Sequence, residues 1–243
     1  DWIGMRQLLP TPIDPVDPMQ VYGGLPTMPG RPAVRLNMVA SIDGATTVAG
    51  VSGGLGGAAD HALFALLRSL ADVVLVAAGT VRAERYGPSS TPVAVVSRSL
   101  RLDWDAPFFT DQVAPPIVIT VAQAPAAQLA RAADVAHVVV AGEGDVDLAM
   151  ALAALGGRGC RAVLAEGGPT LNGQLARAGL LDELCLTLSP QLAGGDAKRI
   201  LTGPTLPVGS GLRLQSVCEQ DEFLFLRYRP HGADSHPVGV TGG

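Results

Sequence analysis

The stretch that decides the fold is residues 161–176, RAVLAEGGPTLNGQLA. An apolar run ends at Ala165, Glu166 and two glycines follow, and a helical pattern begins at once with Pro169 and Thr170. A strand that passes through glycines into a helix leaves free backbone N–H groups at the helix N-terminus, where they and the helix dipole favour an anion such as phosphate. Glycine also lets the backbone approach the anion closely. The alternative is a tight strand-to-helix turn that binds nothing.

The alternation of apolar strands with Ala/Leu-rich helices continues through most of the chain. The predicted strands are 33–40, 72–77, 92–97, 116–121, 136–141, 161–165, 183–190, 212–218 and 223–229. The predicted helices are 58–70, 125–133, 146–155 and 169–178. Near-continuous apolar strands separated by helices are typical of an α/β fold with a mostly parallel sheet and helices on both faces. No helical pattern separates the last two strands, so the sheet should end in an antiparallel hairpin.

The domain organisation follows from length and from proline content. The proline-rich residues 1–32 predict an extended N-terminal arm rather than a folded unit. Residues 230–243 are rich in Pro and Gly and predict a flexible tail. The segment between them, 33–229, is predicted to be one domain, because 243 residues suit one large α/β domain and no interior linker is visible.

Composition argues against several classes of function. The net charge is −5 and no basic cluster is present, which argues against a nucleic-acid surface. No apolar run approaches the roughly 18–20 residues of a membrane span. The three cysteines lie far apart without C-x-x-C spacing, so neither a disulfide framework nor a zinc site is predicted. No signal-peptide pattern opens the sequence, and a cytoplasmic location is expected.

A second glycine-rich loop, GGLGGAAD at 53–60, precedes the helix predicted at 58–70. It matches a dinucleotide-binding fingerprint at Gly54, Gly56 and Ala59, although such a match is weak by itself. A Rossmann unit also needs an acid near the end of the next strand, to bind a ribose hydroxyl. That strand continues as VVLVAAGT, without an acid, and this argues against the Rossmann interpretation.

Four motifs occur in order along the chain: ASIDG (40–44), LLRSLADVVLVAAGTVRAE (66–84), AEGGPTL (165–171) and LLDELCLTLSPQLAGG (180–195). Together they resemble the reductase domain of bacterial riboflavin biosynthesis, the RibD C-terminal domain type, whose fold is that of dihydrofolate reductase. The deaminase domain that often precedes this reductase has an H-x-E motif followed by P-C-x-x-C, which the sequence lacks. The resemblance therefore implies a stand-alone reductase.

The resemblance implies NADPH as hydride donor and assigns residues to it. Ala40, at the end of the first strand of the domain, should border the nicotinamide. Glu84 stands where the family usually has an aspartate near the cofactor. The residues expected to hold the pyrophosphate are Thr80, Gly167, Gly168 and Thr170, and Gly79 is a further cofactor-binding candidate. Ser97, Arg98 and Ser99 follow a strand and offer a cation and two hydroxyls that suit a 2′-phosphate. The alternative for Arg98 is a solvated loop charge.

The resemblance also implies a ribitylamino- or ribosylaminouracil phosphate as substrate. Ser52 and Arg68 fall on the substrate-contacting Ser and Arg of the family, and Glu166 matches its acid beside the glycine pair. The usual D-D-P-x-L-T-x-R loop is replaced by ERYGPSST (84–91), with Thr91 in place of the final arginine. That loss should weaken substrate binding by about 1.5–3 kcal/mol, the scale of a charge-assisted hydrogen bond. Arg68 is then the remaining candidate cation for the phosphate.

The helix predicted at 58–70 carries Asp60, Phe64 and Leu67 on one face. Dihydrofolate reductases have an acid followed four residues later by a phenylalanine on the equivalent helix. By that resemblance, Asp60 is a candidate catalytic and substrate-binding acid that accepts hydrogen bonds from a pterin or a uracil. The alternative is that Asp60 sits in the first helical turn only because a carboxylate is favourable there.

The expected function is therefore NADPH-dependent reduction of a riboflavin-pathway pyrimidine, of the 5-amino-6-(5-phosphoribosylamino)uracil reductase type. Dihydrofolate reduction, as main or side activity, is the first alternative. A non-enzymatic NADPH-binding regulator is the second. The family resemblance also implies a homodimer, whereas the residues themselves indicate neither a metal site nor a nucleic-acid or membrane partner.

Overall fold

The computed structural model describes residues 4–48, 52–111, 113–206 and 210–231. Its strands are β1 Arg6–Leu9, β2 Ala33–Ser41, β3 Val73–Ala77, β4 Val93–Val96, β5 Ile117–Thr120, β6 His137–Val140, β7 Ala162–Ala165, β8 Glu183–Ser189, β9 Leu212–Gln220 and β10 Phe223–Pro230. Its helices are α1 Pro18–Tyr22, α2 Ala58–Ser69, α3 Ala78–Ala83, α4 Pro107–Thr110, α5 Ala126–Val135, α6 Leu148–Gly157 and α7 Pro169–Arg177. Every strand and helix predicted from the sequence is present, within two residues at each end.

The ten strands form a single sheet in the order β1-β9-β10-β8-β2-β7-β3-β4-β5-β6. All pairs from β8 through β2 and β7 to β6 are parallel, whereas β10 pairs antiparallel with both β8 and β9. The β9–β10 hairpin turns through Asp221 and Glu222, which both have positive φ, as a type I′ turn requires. The predicted mostly parallel sheet with a C-terminal antiparallel hairpin is confirmed.

Helices cover both faces of the sheet because the central strands bury both sets of alternating side chains. One set, which includes Val73 and Leu75, packs with α6 and α7. The opposite set, which includes Val74 and Val76, packs with α3, α4 and α5. Further along that second face, α1 and α2 pack on Leu164 and on the β8–β10 region.

The prediction that residues 1–32 form an extended arm outside the fold is wrong. β1 pairs antiparallel with β9 and becomes an edge of the sheet. α1 begins with Pro18 behind an Asp17 side-chain cap, a favourable helix start, and Met5 and Tyr22 are buried in the core. Of the tail predicted at 230–243, Pro230 ends β10, and the chain beyond residue 231 lies outside the described residues.

The strand order creates a point where the chain changes direction. From β3 the chain runs outward to β4, but β7 returns between β2 and β3 and is followed by β8 on the other side of β2. α3, which follows β3, and α7, which follows β7, lie on opposite faces of the sheet. The carboxyl ends of β3 and β7 therefore flank a crevice of the kind that binds ligands in open α/β sheets.

Candidate active site

The residues 166–168 link β7 to β3 at this crevice. The Glu166 N–H donates to the Leu75 carbonyl at 3.0 Å, and the Ala77 N–H donates to the Gly167 carbonyl at 2.7 Å. Gly167 has φ +98°, a backbone conformation that residues other than glycine rarely adopt, and its peptide bond to Gly168 is cis. The glycine pair thus fixes the backbone between the two strand ends.

Gly168 is required by close contact as well. A Cβ atom on Gly168 would lie 2.8 Å from Thr80 Oγ1, at the start of α3. Gly168 is the N-cap of α7, and no side chain caps that helix, so its first free N–H groups remain available to an anion. Gly79 has only the far end of Arg82 near its Cβ position. The structure therefore brings together three of the four residues predicted to hold a pyrophosphate, with the cofactor-binding candidate Gly79 next to Thr80 in the chain.

The fourth, Thr170, already has a partner. Its Oγ1 lies 3.1 Å from Thr202 Oγ1, in the segment that follows β8. The Thr202 N–H donates to the Pro169 carbonyl at 3.0 Å, which holds this segment against the start of α7. The Thr170 hydroxyl is thus placed at the edge of the crevice, shared between the helix start and its neighbour.

Two of the four sequence motifs meet at the end of β2, where Ala40 is buried. The Asp43 carboxylate accepts hydrogen bonds from Ser41 Oγ at 2.5 Å and from the N–H groups of Ala193 and Gly194 at 3.1 and 2.7 Å. These bonds lower the pKa of Asp43 to about 2, the Ser41 hydroxyl having the largest effect. The Asp43 carboxylate thus joins ASIDG to LAGG across the edge of the crevice, a role that sequence analysis missed.

Arg68 and Glu166, both predicted to contact substrate, bind each other. Arg68 Nε and Nη2 each lie 2.7 Å from a Glu166 oxygen, in a bidentate ion pair. The Tyr86 hydroxyl donates to Glu166 Oε2 at 2.5 Å. The Glu166 side chain is 3% exposed and that of Arg68 is 27% exposed, so the arginine is the accessible member of the pair. The Glu166 carboxylate therefore orients Arg68 and offers little surface of its own.

Tyr86 was missed in the sequence, although it lies in the loop that departs from the family pattern. Burial, followed by the nearby Glu166 carboxylate, raises the pKa of Tyr86 well above its ordinary value, so the hydroxyl keeps its proton and remains a donor. The Arg68 guanidinium also lies 4.5 Å from the centre of the Phe64 ring and 5.5 Å from that of Tyr86. Two aromatic rings and a carboxylate thus fix one arginine at the site.

The end of α3 sets the position of Tyr86. The Glu84 N–H donates to the Thr80 carbonyl at 2.9 Å and the Tyr86 N–H to the Val81 carbonyl at 3.2 Å, as in a Schellman turn. Arg85 occupies the residue of this turn that has positive φ, at +49°, where glycine is usual. A non-glycine residue in this conformation costs about 1 kcal/mol.

Ser52, predicted to contact substrate, and Glu84, predicted near the cofactor, also lie together. The Ser52 N–H and Oγ donate to Glu84 Oε1 at 3.1 and 3.0 Å. This contact holds the glycine-rich segment before α2 against the end of α3. The residue predicted to contact substrate and the residue predicted near the cofactor therefore lie side by side.

Asp60 lies in the first turn of α2 and is buried against β8, where Thr187 provides a side-chain hydrogen bond. Burial raises the pKa of Asp60, and the Thr187 bond and the proximity of His61 only partly oppose that shift. A carboxylate kept ionised at a helix start would show the opposite shift. Asp60, Phe64 and Arg68 follow one another at four-residue spacing, so all three lie on the same side of α2.

Ser97 and Arg98 follow β4, next to β3 in the sheet. The Ser97 hydroxyl is buried and accepts a hydrogen bond from the Leu100 N–H at 3.0 Å. Arg98 Nη1 lies 2.6 Å from Asp145 Oδ1, and these two side chains are 67% and 85% exposed. An ion pair of that exposure contributes about 0–1 kcal/mol, so Arg98 can exchange it for another anion at little cost.

Among the described residues, no three His, Cys, Asp or Glu side chains are grouped to hold a metal ion. No helix in the same ranges combines the length and the apolar character needed to cross a membrane.

Comparisons with known proteins agree with the geometry. A family model described as the RibD C-terminal domain matches residues 32–224. A 2,5-diamino-6-ribosylamino-4(3H)-pyrimidinone 5′-phosphate reductase from Methanothermobacter thermautotrophicus is 32% identical over 185 residues, covering 71% of this chain and 85% of the relative. The solved structure of a pyrimidine reductase-like protein from Corynebacterium diphtheriae has a TM-score of 0.76 and 28% identity, covering 87% of this chain and 97% of that one.

A more distant structure shows the fold alone. Dihydrofolate reductase from Enterococcus faecalis has a TM-score of 0.50 and 9% identity, covering 85% of this chain and 99% of that one. The predicted dihydrofolate-reductase-like fold is confirmed.

Proposed function

Because the chain belongs to the RibD C-terminal domain family, we propose that it is an NADPH-dependent reductase of a phosphorylated ribosylaminopyrimidine in riboflavin biosynthesis. The observation that carries the proposal is the crevice between β3 and β7. There the uncapped start of α7 lies against Thr80, and the Arg68–Glu166 pair adjoins it. A bare backbone for a cofactor and an oriented cation for a substrate are thus adjacent.

The residues at the crevice fit a dinucleotide cofactor. A side chain on Gly168 would fill the space against Thr80, so the chain keeps a backbone surface there for a pyrophosphate. When bound, NADPH supplies the hydride, and the protein supplies binding and orientation. We assign the pyrophosphate to Gly79, Thr80, Gly167, Gly168 and Thr170, the nicotinamide border to Ala40, the cofactor side of the wall to Glu84, and the 2′-phosphate to Ser97 and Arg98.

Asp60 favours one form of the pyrimidine. The Methanothermobacter relative is named for a 2,5-diaminopyrimidinone, which presents an amino group and a ring N–H side by side. A carboxylate can accept hydrogen bonds from both groups. In the aminouracil a 2-oxo group replaces the 2-amino group, so an acceptor oxygen would face the carboxylate there. We therefore place the diaminopyrimidinone ahead of the aminouracil as substrate, with Ser52, Phe64, Arg68 and Glu166 around it.

The hydrogen-bonding edge that faces Asp60 also supports a second candidate activity. A dihydropterin carries the same 2-amino-4-oxopyrimidine edge, so the buried Asp60 with Phe64 four residues later can accept it too. We propose a weaker dihydrofolate reductase activity beside the main one. The homodimer and the cytoplasmic location stay predictions.

The test is NADPH consumption with the diaminopyrimidinone phosphate, the aminouracil phosphate and dihydrofolate. We expect turnover in that order of decreasing kcat/KM. NADPH binding without turnover of any of the three would instead indicate an NADPH-binding regulator, and no NADPH binding would remove the cofactor assignment.

The cofactor site has its own variant. Gly168→Val should abolish NADPH binding in a fluorescence titration, because the branched side chain would occupy the surface beside Thr80. Gly157→Val is the matched control, since a Cβ atom there has nothing within 4 Å. Unchanged NADPH affinity in a folded Gly168→Val protein would mean that the glycine pair forms only a turn and does not bind the cofactor.

Cofactor choice is tested at Arg98. Arg98→Ala should raise the KM for NADPH by tenfold or more, from loss of about 1.5–3 kcal/mol, and barely change that for NADH. An equal effect on both cofactors would remove Arg98 from the 2′-phosphate site.

A further inference from the structure

The proposed substrate carries a phosphate, and the arginine first assigned to it is largely neutralised. Arg68 forms a bidentate pair with Glu166, whose carboxylate also accepts from Tyr86. The pair has no net charge, and only the Nη1 edge of Arg68 has no hydrogen bond to the described residues. A phosphate dianion therefore needs a further cation nearby.

The loop that replaces the family pattern supplies one. Arg85 directly precedes Tyr86, is exposed, and has no hydrogen bond or ion pair to any described residue. Its neighbours are already engaged: Arg82 Nη1 donates to the Arg101 carbonyl at 2.7 Å, and Arg98 pairs with Asp145. Arg85 is thus an exposed arginine, next to Tyr86 in the chain, whose guanidinium has no partner among the described residues.

Arg85 and Tyr86 line the same cleft. The Tyr86 side chain reaches Glu166 with its hydroxyl and also lines a cleft of about 400 Å³, together with Arg82, Arg85 and Gly87. The remaining walls of the cleft are apolar, including Leu102 and Phe108, except for Asp103, whose carboxylate accepts a hydrogen bond from the Asp105 N–H at 3.3 Å. A phosphate at its mouth would meet a cation in a partly dehydrated setting, where charge-assisted hydrogen bonds are strong.

The backbone gives an independent reason to look at Arg85. The residue occupies the left-handed position of the turn after α3, at φ +49°, where glycine would be cheaper. A strained non-glycine residue beside a binding site is a reason to ask what its side chain does. Binding the phosphate is a role that would justify the strain.

We propose that Arg85 binds the 5′-phosphate of the substrate, at the mouth of the cleft beside Tyr86, while Arg68 is held as a neutral pair with Glu166. The proposal rests on the proposed function and names the phosphate-binding residue of that same site. It replaces the earlier prediction that Arg68 alone carries the phosphate.

Arg85→Gly separates binding from folding. The glycine relieves the left-handed strain, so the melting temperature should rise. The dissociation constant for the phosphorylated pyrimidine, measured by calorimetry with NADP⁺ present, should increase about tenfold. That for the same pyrimidine without its phosphate should stay within twofold. Arg131→Gln, which removes one exposed positive charge on α5, is the control and should change neither constant.

The outcomes distinguish the two proposals. If the wild type does not oxidise NADPH with the phosphorylated pyrimidine, the proposed function fails, whereas the two dissociation constants still decide the role of Arg85. If Arg85→Gly leaves the affinity for the phosphorylated form unchanged, or weakens both forms equally, the phosphate assignment is wrong.

Discussion

Two buried glutamates pair with arginines on the strands that flank β2, and they differ in what they leave accessible. Glu183, at the start of β8, is completely buried and binds Arg35, Arg227 and Arg229 at 2.6, 2.6 and 3.2 Å. Glu166, at the carboxyl end of β7, binds one arginine and one tyrosine. The first cluster is sealed, and the second presents part of its arginine to solvent.

The difference follows from what surrounds each carboxylate. The arginines around Glu183 also donate to the carbonyls of Tyr22 and Gly24, so the cluster joins the N-terminal segment to β2, β8 and β10. Burial opposes ionisation of Glu183, but Arg35 and Arg227 outweigh it and lower the pKa. Buried charge around Glu183 contributes to holding the fold together, whereas at the crevice the Glu166 carboxylate orients the partly exposed Arg68.

The largest expected effect is on stability at the sealed cluster. Glu183→Gln leaves three arginines facing a neutral amide and should cost about 3–5 kcal/mol in the free energy of unfolding, measured with urea. Because the pKa of Glu183 is lowered, its contribution is present above the ordinary carboxyl pKa and is lost as pH falls through the folded-state pKa. The deficit of the variant should therefore shrink in acid.

Two observations check this result. NADPH affinity should be unchanged in Glu183→Gln, since Glu183 pairs with Arg35, Arg227 and Arg229 and none of these residues is assigned to the cofactor. Glu219→Gln, which removes the partner of Arg6 near the surface, should cost less than 1 kcal/mol. Equal losses in the two variants would mean that the sealed cluster adds no more than a surface pair.

Glu166→Gln should affect activity more than stability, the reverse of Glu183→Gln. The amide still accepts one hydrogen bond from Arg68 but loses the charge that holds it, so kcat/KM for the pyrimidine should fall by about tenfold to a hundredfold, the scale of a charge-assisted bond. The free energy of unfolding should fall by less than in Glu183→Gln, because Arg68 can be hydrated. A loss of stability equal to that of Glu183→Gln, with kcat/KM retained, would make the two glutamates equivalent.

The same contrast explains what the sequence could and could not predict. The strands, the long helices and the glycine turn at 166–168 depend on local patterns, and they were predicted. The position of the N-terminal segment depends on the pairing of β1 with β9, about two hundred residues away, and on the burial of Tyr22 in the core. Its proline-rich composition predicts an extended arm instead. No local pattern reports such contacts.

The candidate site divides in the same way. Gly168 could be assigned from its turn, since the helix start after it is a local feature. Tyr86 and Asp43 act through partners 80 and about 150 residues away, which only the folded chain brings near. Arg68 was predicted as a site residue, but its ion pair with Glu166 was not, because the sequence does not show which side chains lie in contact.

Tyr86→Phe isolates the smallest part of the Glu166 cluster. It removes one hydroxyl and keeps the ring against Phe108, so only the hydrogen bond to Glu166, worth about 0.5–1.5 kcal/mol, should be lost. We expect the KM for the pyrimidine to rise threefold to tenfold with kcat nearly unchanged. Tyr228→Phe, on β10, is the control. A fall in kcat with constant KM would place the Tyr86 hydroxyl at the reacting atoms instead.

The finest test concerns the sign of a stability change at Asp60. Burial raises its pKa, so between the ordinary value of 3.8 and the higher folded-state value the native protein binds more protons than the unfolded chain. Stability from this group therefore falls as pH rises through that window and remains lower above it. Asp60→Asn cannot ionise, so its melting temperature relative to the wild type should rise across the window and stay raised at neutral pH.

The variant should at the same time lose dihydrofolate turnover most, because an amide N–H faces the donors of the pterin edge. The alternative, a carboxylate placed only for the helix dipole, predicts the opposite sign: Asp60→Asn would then lower the melting temperature at neutral pH and leave turnover intact. Melting curves from acid to neutral pH, with turnover measured on the same samples, separate the two. A variant that is both more stable and less active identifies Asp60 as an acid that the fold buries at a cost, for a ligand.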